Sequence, residues 1–223
     1  MNCKKVLLRF KYVFTMMRGN LILLAVCLLS VSLKSQLILN PRFFKGYVVT
    51  ASNDTIRGQI KLPKSASKGD FTFTDILWKI RFVDNTGSET KYFPGQLSAF
   101  SFVLDNGRQV TFVSRPNDVK AFGGFGADNR HLFLELAING QLKLLKGYFF
   151  SSTPNGKQSS VVNYLQKGKD KLFRYRYVLF RFDMSEYLSE DSELVQKIRK
   201  RDYLPGDIDK IVMEYNNWYN QQK

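Results

Sequence analysis

The sequence predicts an α+β domain in which a mainly antiparallel β-sheet is followed by two or three helices. From Gly46 to Tyr177, short runs of alternating apolar and polar residues are separated by turn residues, a pattern typical of β-strands. After Tyr177 the apolar residues recur with the period of an α-helix. We therefore predict a β region over residues 36–177, built from hairpins or a meander and either open or barrel-like. A helical tail over residues 178–223 should pack on the same domain.

An apolar run from Leu21 to Leu33 precedes this domain and predicts an export signal. A helix of this length spans about 20 Å, which is short for a hydrocarbon core of about 30 Å. Basic residues without any acidic residue come before the run, and the small polar segment KSQ follows it. We expect a signal peptide over residues 1–35, cleaved between Ser35 and Gln36. An inner-membrane anchor formed by residues 21–33 is the alternative.

Cysteine content and charge narrow the function classes. Both cysteines, Cys3 and Cys27, lie in the predicted signal, so the exported chain would have no disulfide, no thiolate metal site and no cysteine nucleophile. The 34 basic and 19 acidic residues include six basic and no acidic ones in residues 1–35, which leaves a net charge of +9. Such a protein is attracted to polyanions, and export favours envelope glycolipid or acidic polysaccharide over nucleic acid. A basic surface without a specific ligand is the other interpretation.

The first predicted hairpin joins the strands GYVVT and DTIRGQIKL through the turn residues SND. In its second strand apolar and polar residues alternate, so one face should be buried and the other should meet water. A polar surface loop is expected at Lys64–Asp70. The run FTFTDILWKIRFVD is predicted as a strand, with one face formed by Ile76, Trp78, Ile80 and Phe82.

Two later hairpins are predicted to the level of their register. In AFSFVLDNGRQVTFV, a three-residue loop at Asp105–Gly107 pairs Phe100 with Phe112 and Phe102 with Val110, whereas a two-residue loop would set apolar residues opposite polar ones. The glycine of this loop should adopt the left-handed conformation. In HLFLELAINGQLKLL, the same argument selects a three-residue loop that places Leu134 opposite Leu144 and Glu135 opposite Lys143.

Three further segments complete the β region. AFGGFGADN predicts a flexible loop rather than a phosphate-binding loop, because no helix follows it. SSTPNGKQSS predicts a solvated loop. VVNYLQKGKDKLFRYRY predicts one more hairpin, which turns at Gly168 and Lys169.

The helical tail shows apolar stripes and end signals. Ser189 is the predicted N-cap of its second helix, and Pro205 with Gly206 should interrupt the chain before the last one. The predicted buried positions are Phe180, Met184, Tyr187 and Leu188 in the first helix, Leu194, Val195 and Ile198 in the second, and Ile208, Ile211, Val212, Tyr215 and Trp218 or Tyr219 in the last.

The segments GYVVTASNDTIRGQI, RFVDNTGSETKYFPGQLSAFSF and YLSEDSELVQKIRKRDYLPGDIDKIVMEYNNWY resemble a group of uncharacterised exported proteins of Bacteroidota. The likeness covers most of the exported chain, and its most specific part is the tyrosine-rich helical tail. The resemblance implies an envelope location and a domain without an assigned activity. It offers no catalytic residues.

Candidate site residues are few. In the predicted exported chain the single histidine, His131, has neither a second histidine nor a cysteine to complete a zinc site, and no nucleophile elbow is present to form a triad with it. We expect neither a metal nor a cofactor. The most charged stretch is KGKDKLFRYRYVLFRF, in which Lys171, Arg174 and Arg176 are candidate anion-binding residues. The alternative is an amphipathic strand whose aromatic residues are core and whose arginines only meet water.

These observations favour a non-catalytic envelope protein that binds a partner protein or an acidic glycolipid or polysaccharide. After removal of the signal no segment should span a membrane. The location would be the periplasm, the outer membrane or the outside. A carbohydrate-active hydrolase with paired carboxylates is the alternative function, although isolated acids such as Glu135 show no partner in the sequence.

Overall fold

The computed structural model describes residues 42–62, 73–117, 131–153 and 156–222. Within these residues lie nine strands and three α-helices, together with short 3-10 segments. The strands are β1 (Arg42–Thr50), β2 (Thr55–Leu62), β3 (Ile80–Asp84), β4 (Glu89–Tyr92), β5 (Leu97–Val103), β6 (Gln109–Pro116), β7 (His131–Ile138), β8 (Leu142–Thr153) and β9 (Gly156–Lys167). The helices are α1 (Phe180–Tyr187), α2 (Ser192–Lys200) and α3 (Ile208–Gln221).

All nine described strands form one antiparallel sheet in the order β4-β3-β2-β1-β5-β6-β7-β8-β9. The described edge strands β4 and β9 do not pair with each other, so the sheet is open and not closed into a barrel. The predicted α+β class, with an antiparallel sheet followed by C-terminal helices, is confirmed, and the number of described helices is three. The sheet and the helices belong to one compact unit.

The register of the β5–β6 hairpin matches its prediction. Phe100 lies opposite Phe112 and Phe102 lies opposite Val110, and Gly107 in the loop has a φ of 80°. Two of these rings stack, since the Phe100 and Phe112 centroids are 5.1 Å apart. The pairs help to form the largest core, which also contains Phe44, Val48, Ile60, Leu62, Ile76, Ile80, Phe82, Leu97 and Phe133. We call the side of the sheet that carries Phe100 and Phe112 the core face, and the other side the reverse face.

The helices pack on the core face at the far end of the sheet. Leu142 and Leu144 of β8 and Leu165 of β9 are fully buried against the helical side chains. The helical residues of this core are Phe180, Met184, Leu188, Leu194, Val195, Ile198, Ile208, Ile211, Val212 and Tyr215, which all match the predicted stripes. The predicted cap of α2 is wrong by two residues, because the Asp191 carboxylate, rather than Ser189, accepts a hydrogen bond from the Leu194 amide at 3.0 Å.

A third core covers the reverse face of β6–β9. It consists of Leu77, Val113, Leu132, Leu134, Leu145, Val162, Tyr164 and Leu172. Two of these residues come from outside the sheet, since Leu77 precedes β3 and Leu172 follows β9. At this end the sheet is therefore buried on both faces.

Burial on both faces explains why the predicted register of β7 and β8 is wrong. Glu135 lies opposite Lys146 and Leu136 opposite Leu145, and a bulge follows Leu136. The prediction placed Leu134 and Leu144 on one face, because the other face was expected to meet water. In the structure Leu144 contacts the helices, whereas Leu134 belongs to the third core on the reverse face.

Two other secondary-structure predictions are also corrected. The run before β3 begins with a 3-10 helix at Phe73–Leu77 instead of a strand, and the Phe73 ring packs edge-on against Tyr148 of β8 at 5.1 Å. The predicted solvated loop SSTPNGKQSS is mostly strand, because β8 runs to Thr153 and β9 starts at Gly156. The predicted signal, the loop at residues 64–70 and the glycine-rich segment AFGGFGADN lie outside the described residues.

Candidate binding surfaces

The segment that carries the predicted anion-binding residues is not a strand. After β9 the chain turns at Gly168, and only Phe173 pairs with β9, through two backbone hydrogen bonds of 2.8 Å with Leu165. The Phe173 ring stacks on Tyr187 with a centroid distance of 3.9 Å, and Tyr175 packs beside Phe180. These two aromatic residues therefore attach the segment to the helical core. The amphipathic-strand interpretation also placed Tyr177 in the core, but Tyr177 is 77% exposed.

The three basic residues of this segment have different surroundings. Lys171 is exposed, Arg174 is half-buried, and the Arg176 side chain is 64% exposed. Arg176 also forms a forked ion pair, in which its Nη2 lies 2.6 Å and its Nε 3.1 Å from the two Asp183 oxygens. The Arg176 amide donates to the same carboxylate at 2.7 Å. Arg176 thus fixes the start of α1 and still exposes part of its guanidinium.

The Asp183 carboxylate makes the stability of the tail pH-dependent. Hydrogen bonds from the Arg176 side chain hold the pKa of Asp183 below its usual value. The unfolded chain therefore binds a proton at Asp183 more tightly than the folded chain does. The stabilisation of the folded state by the ionised Asp183 carboxylate is complete above about pH 4, and it is lost as the pH falls through the lower folded-state pKa. We expect Asp183→Asn to lower the denaturation midpoint at neutral pH and to flatten its decline between about pH 5 and about pH 2. Equal declines for the variant and the parent chain in urea titrations would contradict this.

Directly after Arg176 the chain exposes an apolar surface that we call the ridge. It consists of Tyr177, Val178, Leu179 and Phe182, whose exposed fractions are 77%, 92%, 41% and 65%. The 3-10 turn Tyr177–Leu179 leads into α1. The apolar residues of α1 that face the core are Phe180 and Met184. The ridge side chains therefore point away from the core.

Sequence reasoning missed the ridge although a signal was present. The helical stripe of α1 accounts for Phe180 and Met184, so Val178, Leu179 and Phe182 were apolar residues without a place on the buried face. Two exposed apolar residues next to a helix are common in any protein. A group of four that protrudes together indicates an interaction surface.

Basic residues outnumber acidic residues in the sequence next to the ridge. From Lys169 to Phe182, including both ends, it contains five basic residues and one acidic residue, Asp170. Arg181 lies between two ridge residues and is exposed. It lines a shallow depression together with Phe182, with Arg199 of α2 and with one acidic residue, Glu186. The combination of protruding apolar side chains and a positive rim is the principal candidate for a functional surface.

Two carboxylates, the buried Glu135 and the exposed Glu190, each have a cationic and a phenolic partner. Glu135 accepts a hydrogen bond from the Tyr148 hydroxyl and lies 3.5 Å from Arg108. Glu190 lies 2.5 Å from Lys167 and accepts a hydrogen bond of 2.7 Å from Tyr215. Burial raises the pKa of Glu190, but these hydrogen bonds outweigh it and the pKa lies below its usual value. A glycosidase acid needs a raised pKa, so these contacts favour a structural role for Glu190.

Other predicted features find no support as sites in the described part of the chain. His131 is half-buried at the start of β7, where Gly95 approaches its ring. No three histidine, cysteine or acidic residues of the described ranges come together as a metal site. Among the described helices, none is long and apolar enough to cross a membrane.

Comparison with known proteins assigns no family to this geometry. Neither a protein-family model, nor a curated protein sequence, nor a solved structure matches the chain significantly. The functional argument therefore starts from the ridge and its basic rim.

Proposed function

We propose that the protein is an exported, non-catalytic envelope protein that binds an acidic glycolipid surface through the ridge. The observation that carries this proposal is the exposure of four adjacent apolar side chains among basic residues. Export is the expectation from the apolar run at residues 21–33, and the net positive charge of the remaining chain supports an acidic partner.

The chemistry of the ridge fits a lipid surface. Tyrosine and arginine are suited to the boundary between headgroups and acyl chains, because each has an apolar body and a polar end. Val178, Leu179 and Phe182 provide apolar area that would enter this boundary, as on proteins that lie on a membrane without spanning it. The exposed Lys171 and Arg181 would face phosphate groups.

The expected energies are sufficient for reversible binding. Complete burial of one Val, Leu or Phe side chain contributes about 1.5–3 kcal/mol, and each basic residue near an anionic membrane adds about 1 kcal/mol. Partial burial of the ridge together with two or three basic contacts would thus give several kcal/mol. Both contributions are required, so neutral membranes should bind the protein weakly.

Vesicle flotation tests the proposal. The chain from Gln36 onward keeps every described residue and omits the predicted signal, whose own apolar run would otherwise bind lipid. It should float with phosphatidylglycerol vesicles and with vesicles that contain a phosphorylated glycolipid, but not with phosphatidylcholine alone. We expect the double variant Val178→Ser with Phe182→Ser to weaken this binding about a hundredfold, because it removes most of the inserted apolar area.

Two matched variants control the experiment. Phe93→Ser removes another exposed aromatic ring, which is 45% exposed and has the Lys91 ammonium 4.9 Å from its centroid, and it should leave flotation unchanged. Lys171→Gln with Arg181→Gln should abolish the preference for anionic lipid and the sensitivity to salt. The proposal fails if Phe93→Ser is as damaging as the ridge variant, or if lipid charge has no effect.

A further inference from the structure

The reverse face of β1, β2, β3, β5 and β6 carries a polar groove that lies outside the ridge and its rim. The register of the sheet arranges its side chains in two rows that cross the strands. One row contains Arg57, Tyr47, Ser101 and Thr111, and the other contains Val83, Gln59, Lys45, Val103 and Gln109. Most of these residues line a groove of about 770 Å³.

The shape of the groove suits an elongated ligand. Neighbouring strands lie about 4.8 Å apart, so a row across five strands extends about 19 Å. Gly46 and Gly58 lie opposite each other in β1 and β2 and contribute only backbone to the groove. A ligand that lies across the strands would therefore meet several side chains in succession.

The charge of the groove is positive. Lys45 and Arg57 are exposed, and neither forms an ion pair with another described residue. Asp84 is the one acidic residue among the described lining residues. Its Oδ1 faces its own turn, since it accepts hydrogen bonds from the Thr86 amide at 2.8 Å, the Thr86 hydroxyl at 2.6 Å and the Ser88 amide at 3.0 Å. The two basic residues, Lys45 and Arg57, therefore outnumber the one carboxylate in the groove.

The neutral polar groups are held in position. Ser101 is only 1% exposed, and its hydroxyl donates to the Val110 carbonyl at 3.0 Å. The same oxygen accepts hydrogen bonds from the Gln109 amide at 3.0 Å and from the Thr111 hydroxyl at 3.1 Å. This network orients the Gln109 side chain at one end of its row, and Gln59 is the cross-strand neighbour of Lys45 in the same row.

We infer that this groove binds a short anionic oligosaccharide. Sugar hydroxyls both donate and accept hydrogen bonds, which matches the amides of Gln59 and Gln109. The apolar face of a sugar ring can pack on the Tyr47 ring, and a carboxylate or phosphate substituent can pair with Arg57 and Lys45. Tyr47 is the one aromatic ring in the two rows. Phe43, the next exposed ring on the same face, lies outside the groove lining and has the Lys61 ammonium 5.7 Å from its centroid, so stacked nucleic-acid bases would find no series of platforms in the groove.

Titration calorimetry with the full chain tests the inference. The probes are tetragalacturonate, which has carboxylates, a phosphorylated mannose tetrasaccharide, and neutral cellotetraose. At least one anionic probe should bind, and cellotetraose should bind at least about tenfold more weakly. Arg57→Gln and Lys45→Gln should each weaken the anionic probe about tenfold, because each removes one charged contact.

The control is Lys79→Gln, which removes an exposed lysine outside the groove and should leave binding unchanged. The inference would be overturned if Lys79→Gln weakened binding of the anionic probe as much as the groove variants do. It would also be overturned if cellotetraose or a tetraglutamate peptide bound as tightly as the anionic oligosaccharide. The groove variants should retain vesicle flotation, and the ridge variants should retain calorimetric binding. Flotation and calorimetry therefore test the ridge proposal and the groove inference separately.

Discussion

Replacement of either Gly46 or Gly58 by alanine is expected to destabilise the protein by about 3 kcal/mol or more. A Cβ on Gly46 would lie well inside 3.0 Å of the Ser101 carbonyl oxygen, and a Cβ on Gly58 equally close to the Val83 carbonyl oxygen. Both carbonyl oxygens belong to the backbone of a neighbouring strand, so rotation of a side chain cannot relieve either clash. The sheet would have to open where β1 meets β5 and β2 meets β3. Urea denaturation followed by circular dichroism would measure the loss.

Two glycines elsewhere control this experiment. A Cβ on Gly206 meets nothing within 4 Å and its φ is not in the left-handed region, so Gly206→Ala should be close to neutral. Gly107 also has free space, but its φ of 80° should make Gly107→Ala cost about 1 kcal/mol. If Gly46→Ala were no more destabilising than Gly107→Ala, the close approach of β1 and β5 would be wrong.

Loss of the Asn216 side chain is expected to have the second-largest effect, about 3 kcal/mol. Its Oδ1 accepts from the Leu142 amide at 2.8 Å and its Nδ2 donates to the Leu142 carbonyl at 2.9 Å. Leu142 is fully buried, so Asn216→Ala would leave two backbone groups without partners. Hydrogen exchange at the Leu142 amide should accelerate, and the urea midpoint should fall.

The matched control is Asn217→Ala on the exposed side of the same helix, which should leave both measurements unchanged. Asn216→Asp should recover the contact with the amide but repel the carbonyl, and its stability should fall between those of the parent chain and Asn216→Ala. Equal stability of Asn216→Ala and Asn217→Ala would mean that α3 does not hold the start of β8 in this way.

The Asn216 contact also shows why one hairpin was predicted correctly and another was not. In the β5–β6 hairpin the two strands alternate cleanly, and a local loop with a left-handed glycine closes them, so nearby residues contain all the information. At the start of β8, the Leu142 backbone is bound by a residue 74 positions away. No local pattern of leucines could show that contact.

The candidate surfaces were also only partly predictable from the sequence. The basic character of Lys171, Arg174 and Arg176 was visible in the sequence, but their segment was predicted as a strand and the ion pair of Arg176 with Asp183 was not foreseen. The ridge was visible only as apolar residues left over from the stripe of α1. The groove could be recognised only from the register of five strands. Arg57 and Ser101 are far apart in sequence, and they lie in one row because each is the cross-strand neighbour of Tyr47.

The α+β class, the order of strands before helices, the apolar stripes of the tail and the net positive charge follow from the sequence alone, because each depends on local periodicity or composition. The strands that are buried on both faces, the apolar residues that remain exposed as the ridge and the polar residues that line the groove follow only from the fold. These features depend on contacts between residues that are distant in the chain. A helix packed on β8 can reverse the expected side of a leucine without changing any local pattern.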